Sequence, residues 1–285
     1  MIQVREMAIV VSTGTIAMKM FKPLTGILLI LVMNQASFSR ASDYAVSRTP
    51  EGQPDLQGIW QTWEGAAAWD IEAHEGRFTI PAGGGIVIDP PDRKIPYQQW
   101  ALEKRRDLIA NHMFDDPQAH CILSGFPRHN YAPYGFQLLQ PDGGKYIVFL
   151  YENFHAYRVV PLDGRPHIPD SIRLYNGDSR GHWQGATLVI DVTNQNGKTW
   201  LDMAGNFTSP NLHVTERFTR TGENTIRYEA TLEDSTVYTR SWTVGFNLDR
   251  IQDENYQILE FACHEGERDL QHYPEDTGRH AGDGS

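Results

Sequence analysis

Hydrophobic and polar residues alternate with a period of two along residues 212–233. In Leu212-His213-Val214-Thr215-Glu216-Arg217-Phe218 the apolar residues Leu212, Val214 and Phe218 share one face. Thr221-Gly222-Glu223-Asn224 then reads as a turn, and Ile226, Tyr228, Ala230 and Leu232 share one face of a second run. This is the pattern of half-buried antiparallel strands. Further runs fall at Phe136–Gln140, Tyr146–Val160, His182–Gln184, Thr187–Thr193, Tyr238–Leu248 and Gln257–Cys263. Earlier strands are expected around Trp60 and Trp63 and at Ile86-Val87-Ile88. Turn signals such as Pro141-Asp142-Gly143-Gly144 and Leu162-Asp163-Gly164-Arg165-Pro166 separate the later runs. The spacing predicts a mainly β fold, an antiparallel barrel or meander. One helical insertion is expected over about 97–109, where good helix formers run without a breaker.

One residue breaks the pattern. Glu216 falls on the apolar face of its strand, and a carboxylate among inward apolar neighbours is costly unless it is paired or used. Two readings stay open: a general acid/base in an apolar cavity, or one half of a buried Glu–Arg pair. A regular strand sends His213 and Arg217 to the opposite face; a slip of one residue would turn them inward instead. In Tyr151-Glu152-Asn153-Phe154-His155-Ala156-Tyr157-Arg158 both faces mix apolar and polar residues. Periodicity does not say which face of that run is inside.

Composition narrows the setting. The chain has 285 residues, 40% apolar and 21% charged, an ordinary globular balance. Lys19 and Lys22 precede the apolar run Ile27–Met33, and Ser39 and Ala41 offer small residues before a cleavage point. That is the layout of a secretory signal peptide, with residues 1–17 as an upstream extension. The expected organisation is therefore 1–41 extension and signal, 42–54 leader, 55–270 one barrel domain and 271–285 a disordered tail. A periplasmic or secreted protein follows, with no stable membrane span after cleavage. The net charge of −11 argues against nucleic acid as a partner. Both cysteines, Cys121 and Cys263, lie in the exported part, and an oxidising compartment favours a disulfide between them.

Several segments together resemble a bacterial family of exported, largely uncharacterised β-proteins. They are Gly84–Tyr97 (GGIVIDPPDRKIPY), Gly125-Phe126-Pro127-Arg128, Asp163-Gly164-Arg165-Pro166-His167, Gly181–Asp191 (GHWQGATLVID), Leu212–Phe218 and Cys263-His264-Glu265. The family implies no firm activity. Gly58-Ile59-Trp60 also resembles the opening Gly-x-Trp of lipocalin-type barrels, which implies a lipocalin-like barrel. In those barrels the Trp packs near an Arg of a late strand, a part that Arg240 would suit.

Candidate chemistry is of the acid–base kind. No Gly-x-Ser-x-Gly, dinucleotide fingerprint or His-Glu-x-x-His is present, so no cofactor and no metal is expected. Asp191, Asn194, Asn196 and Asp202 have loosely calcium-like spacing, but Asn196-Gly197 reads better as a turn. The catalytic candidates are Glu216 and His155 for proton exchange and Arg158 for an oxyanion, with His213, Asp202 and Tyr134 behind them. Trp183, Tyr151, Tyr157, Arg240 and Tyr238 are the candidate ligand-binding residues. The leading expectation is a cofactor-independent lyase, hydratase or isomerase acting on a small, partly apolar molecule inside the barrel. The alternatives are a non-catalytic periplasmic carrier of a hydrophobic ligand, and a carbohydrate-active lyase or hydrolase using Asp202 and Glu216.

Overall fold

Among the described residues, ten strands, one α-helix and five short 3₁₀ turns make up the regular structure. The computed structural model describes residues 44–76, 80–261 and 263. The expected signal segment and the tail 271–285 lie outside the described residues, as do His264 and Glu265. The strands are β1 (Gly58–Gln61), β2 (Val87–Asp89), β3 (Phe136–Leu139), β4 (Tyr146–Tyr151) and β5 (Tyr157–Pro161). They continue with β6 (Asp178–Gln184), β7 (Thr187–Thr193), β8 (His213–Gly222), β9 (Thr225–Glu233) and β10 (Trp242–Arg250). The helix α1 spans Gln99–Asn111. The fold is a mainly antiparallel, nearly closed barrel, as the alternation predicts.

The sheet order is β5-β4-β3-β1-β10-β9-β8-β7-β6, with β2 pairing a separate part of β10. Every neighbour along that path is antiparallel. Each pairing reverses direction, so β5 and β6, at the two ends, run the same way. Parallel neighbours cannot be joined by a tight hairpin. The chain crosses from β5 to β6 through the segment 162–177, in which Leu174 exchanges backbone hydrogen bonds with Asn194 and Asn196 beyond the end of β7. Gly181 allows the two strands to approach there: a Cβ at this position would lie 2.7 Å from Leu162 and 2.8 Å from Val160.

Alternation sorts the side chains as expected along β8 and β9. Val214, Glu216, Phe218, Ile226, Tyr228, Ala230 and Leu232 are buried, and their alternates are not. The ladder pairs Glu216 with Ala230 and Phe218 with Tyr228 in regular register. The interior is aromatic-rich: Phe149, Phe218, Tyr228 and Phe246 form a chain of ring contacts with centroids 4.8–5.4 Å apart.

Three expectations are corrected. The run 146–160 is not one strand. It folds back at Glu152–Ala156 as the β4–β5 hairpin, closed by the Tyr151 amide donating to the Ala156 carbonyl at 2.8 Å. Phe154 and His155 turn the chain with φ of +59° and +49°. Residues 257–261 form no strand. They are held by Glu152 instead, which accepts from the Tyr256 hydroxyl at 2.8 Å and the Leu259 amide at 2.9 Å. Arg240 does not pack on Trp60; it is exposed and pairs with Asp89. Arg250, at the end of β10, takes that place, with its guanidinium 4.5 Å from the Trp60 ring. Gly58 makes room for it, since a Cβ there would collide with the same guanidinium.

Cys121 and Cys263 form a disulfide across 142 positions of sequence. It ties the segment after β10 to the middle of the chain. Loop-closure entropy for a span of 142 gives an upper contribution of about 5 kcal/mol. Replacing Cys263 by Ser should therefore lower the denaturation midpoint in non-reducing buffer, and reductant should do the same to the parent protein. Equal midpoints with and without reductant would show that the bond does not stabilise the fold.

Candidate functional site

Glu216 sits wholly buried in the barrel interior, at 0% exposure. Alternation in β8 turns it inward, and four donor groups converge on it or on its partners. Arg158 of β5 forms an ion pair with Glu216 Oε2. Tyr228 of β9 donates to Oε1 at 2.8 Å, and Asn130 Nδ2 donates to the same oxygen at 2.7 Å. Tyr151 of β4 donates to Asn130 Oδ1 at 2.8 Å. The network thus links β4, β5, β8 and β9 with the 3₁₀ turn Arg128–Asn130. Of the two readings, the structure shows the buried Glu–Arg pair. Among the described residues, no histidine forms a hydrogen bond with Glu216.

Arg158 is the hinge of this arrangement. Its Nε donates to Ser179 Oγ of β6 at 2.9 Å, so one guanidinium bridges both strands of the seam and the carboxylate of β8. Its plane lies over Phe126, 3.8 Å from the ring centre. Burial works against the charge, but Glu216 more than offsets it, and the Arg158 pKa is raised. Nη1 is buried without a hydrogen-bond partner. The Tyr228 hydroxyl is held protonated by burial and then by the Glu216 charge, which raise its pKa well above its ordinary value.

Arg128, His129 and Asn130 are three consecutive polar residues, all buried, and none of them stands among the candidates read from the sequence. Arg128 makes a two-pronged pair with Asp116 at 2.8 and 2.6 Å. His129 Nε2 faces Asn176 Oδ1 at 3.1 Å, while its Nδ1 has no partner. Burial pushes the His129 pKa down to about 3. Pro117, Pro127 and Pro133 interrupt this stretch, and no periodicity marks an inward side chain there.

The remaining candidates lie elsewhere. His155 is exposed and does not reach Glu216; the hairpin turn at 152–156 carries it to the rim. Tyr157 is 71% exposed, because the same turn resets the alternation between β4 and β5. Tyr134 is half-buried against Phe261, with ring centres 5.3 Å apart. Asp202 is buried but separate, sharing no hydrogen-bond partner with Glu216. It accepts from the amides of Ile71, Ala204 and Asn206 and from the Asn206 side chain. Burial and then the charge of Asp70 raise its pKa to about 7, against those donors. Tyr238 is buried and donates to the Phe207 carbonyl at 2.8 Å. Trp183 packs half-buried against the core. His213 faces outward, between Asp191 and Glu233. Among the described residues, no group of three or more His, Cys, Asp or Glu is placed to hold a metal ion.

A cleft of about 400 Å³ opens where the seam meets the segment 162–177. Phe154, His155, Tyr157, Leu174, Tyr175 and Asn176 are among its walls. Asn176 is also the partner of buried His129, so the cleft touches the polar network at that point. Glu216 itself lines no part of this cleft. A scan against protein-family models finds no match to the chain, and a comparison with curated proteins finds none.

Two outcomes follow from the buried groups. Glu216→Gln should cost about 3–5 kcal/mol of stability, since it strands a buried guanidinium. The double variant Arg158→Met/Glu216→Gln should be less destabilised than Glu216→Gln alone, because it removes the stranded charge and keeps an acceptor for Tyr228; strict additivity in urea melts would refute the coupling. Burial brings the His129 pKa down to about 3, from an ordinary value of 6.5. Its contribution is full above pH 6.5 and is lost as pH falls toward 3, amounting to about 4–5 kcal/mol over that range. Urea midpoints measured from pH 7 down to pH 4 should fall less steeply in His129→Gln than in the parent.

Proposed function

We propose that the protein is an exported barrel that binds a small, partly apolar organic molecule at the β5–β6 seam. The observation that carries this reading is the seam cleft. Its volume of about 400 Å³ lies in the range of small-molecule sites. Its walls combine apolar surface from Leu123, Phe154 and Leu174 with the polar tips of His155, Tyr157 and Asn176. Apolar walls with a few polar groups orient a ligand without demanding a particular charge. The disulfide is compatible with an extracellular or periplasmic location. Among the described residues no helix is long and apolar enough to cross a membrane.

This reading moves the ligand from beside Glu216 to the rim. The Glu216 carboxylate is already committed to Arg158, Tyr228 and Asn130, which makes it a structural group. A second reading, a cofactor-independent acid–base enzyme, is favoured by one observation. Phe154 and His155 are consecutive non-glycine residues at positive φ, and such strain clusters at active sites. In that reading His155, rather than Glu216, moves the proton.

Anilinonaphthalene sulfonate, a partly apolar fluorescent probe, tests the site. The native protein should bind it saturably with blue-shifted emission, and Tyr157→Ala with Leu174→Ala should weaken binding by about tenfold or more. Unchanged binding in that double variant would sink the seam site. For a substrate displacing the probe, the enzymatic reading requires His155→Gln to lower kcat by about 100-fold or more. Unaltered turnover would assign the proton to another group.

A further inference from the structure

A second cleft, of about 320 Å³, lies on the barrel wall away from the seam. It occupies a gap in the sheet. β1 covers β10 at Asp249 and Arg250, whereas β2 covers it at Thr243 and Val244. Between them β10 has no strand neighbour on that side. The Gly245 amide donates to Ile86 O at 2.8 Å, and the Ile251 amide to Ile59 O at 2.9 Å, both across this edge. Alternation along an antiparallel strand points the backbone N–H and C=O of Asn247 the same way. They face the gap with no ladder partner.

Trp63 stands at the mouth, 76% exposed, the most exposed of the large hydrophobic side chains described. Glu64, Asn247 and Asp249 also line the cleft, and their side-chain polar atoms engage no hydrogen-bond partner among the described residues. Two cations are present but occupied. Arg93 donates to the carbonyls of Val87 and Gly85, and Arg227 donates to Glu229. Gly245 keeps the floor open, since a Cβ there would crowd Arg227 and, at 2.7 Å, Ile88.

We propose that this gap binds a neutral saccharide unit stacked on Trp63. The indole offers a flat apolar face for the C–H side of a pyranose ring. Glu64 and Asp249 offer paired acceptors for vicinal hydroxyls, and the Asn247 amide group supplies both donor and acceptor. Two carboxylates set against two occupied cations leave no net positive charge to recruit an anion. A purely apolar ligand would leave the free polar atoms unpaired, which costs affinity. The site is independent of the seam cleft and of the ligand proposed there.

The test titrates the disulfide-intact protein with maltotriose, cellotriose, chitotriose and xylotriose, read by tryptophan fluorescence and calorimetry. At least one trisaccharide should bind saturably. Trp63→Ala and Asp249→Ala, both at solvent-accessible positions, should each weaken that binding by about tenfold or more while leaving the thermal midpoint in place. Absence of saturable binding by all four overturns the proposal, as does binding unaffected by Trp63→Ala. Binding of glucuronate alone, with none of the neutral sugars, overturns the assignment of ligand class. A bound trisaccharide should not displace anilinonaphthalene sulfonate, which separates this site from the seam.

Discussion

A sheet path of nine strands, each antiparallel to the next, brings two parallel strands together at its ends, and no backbone ladder joins β5 to β6 here. The barrel is closed at that point by side chains. Arg158 is the main one, reaching from β5 to Ser179 on β6 and to Glu216 on β8. A buried ion pair is weak evidence for net stability, because desolvation consumes much of the attraction. Its value here is geometric. Arg158 fixes the spacing of the seam, Glu216 fixes Tyr228 and Asn130, and Asn130 fixes the turn that fills the end of the barrel. Removing one charge would expose the cost of all the others.

A filled interior moves binding to the wall. Both oxygens of the Glu216 carboxylate are engaged by its cation and donors, and aromatic rings take up the space around them. Places suited to a ligand arise instead where the sheet is incomplete: the parallel seam and the gap between β1 and β2 on β10. Both leave polar groups without protein partners, Arg158 Nη1 and His129 Nδ1 behind the seam and Asn247 in the gap. Ladder interruptions and the two proposed binding sites thus share one cause, since unpaired backbone or buried polar atoms need some other partner.

The legible part of the fold is the part governed by period. β8 and β9 are legible residue by residue, including the inward Glu216, because an unbroken alternation runs along each. Turn chemistry without glycine or proline defeated the same reasoning at 152–156. Phe154 and His155 adopt positive φ there, which their residue types do not advertise. That single misreading placed Tyr151 with Tyr157 and set both apart from Arg158; in the folded chain Tyr151 and Arg158 are inside and Tyr157 is outside. The partner of Glu216 is legible only as an arginine in general; Arg158 stands among the candidates for an oxyanion, not as that partner. Asn130 and His129 were not legible at all. They lie in a proline-rich stretch, and only tertiary packing turns them inward. The Trp60 partner illustrates the same limit, since face-sharing with Tyr238 and Trp242 pointed to Arg240, whereas strand register selects Arg250.

The segment 162–177 must stay in place for the seam cleft to exist, and its anchor is polar. His167 faces Asp178 at 2.7 Å and Asp191 at 2.7 Å, and Asp191 also accepts from His213, beside Glu233. Arg180 pairs with Asp178 in the same group. The hydrogen bond to Asp191 and its charge raise the His213 pKa, outweighing partial burial. A raised histidine stabilises the fold fully below its unfolded pKa, and that contribution fades as pH rises through the folded value. Buried His129 does the reverse, favouring the fold above its unfolded pKa. The outer anchor therefore tightens in acid as the inner plug loosens. The two contributions to stability therefore run in opposite directions with pH, one in the cluster that also holds His167 of the segment 162–177, the other at the His129–Asn176 contact beside the cleft.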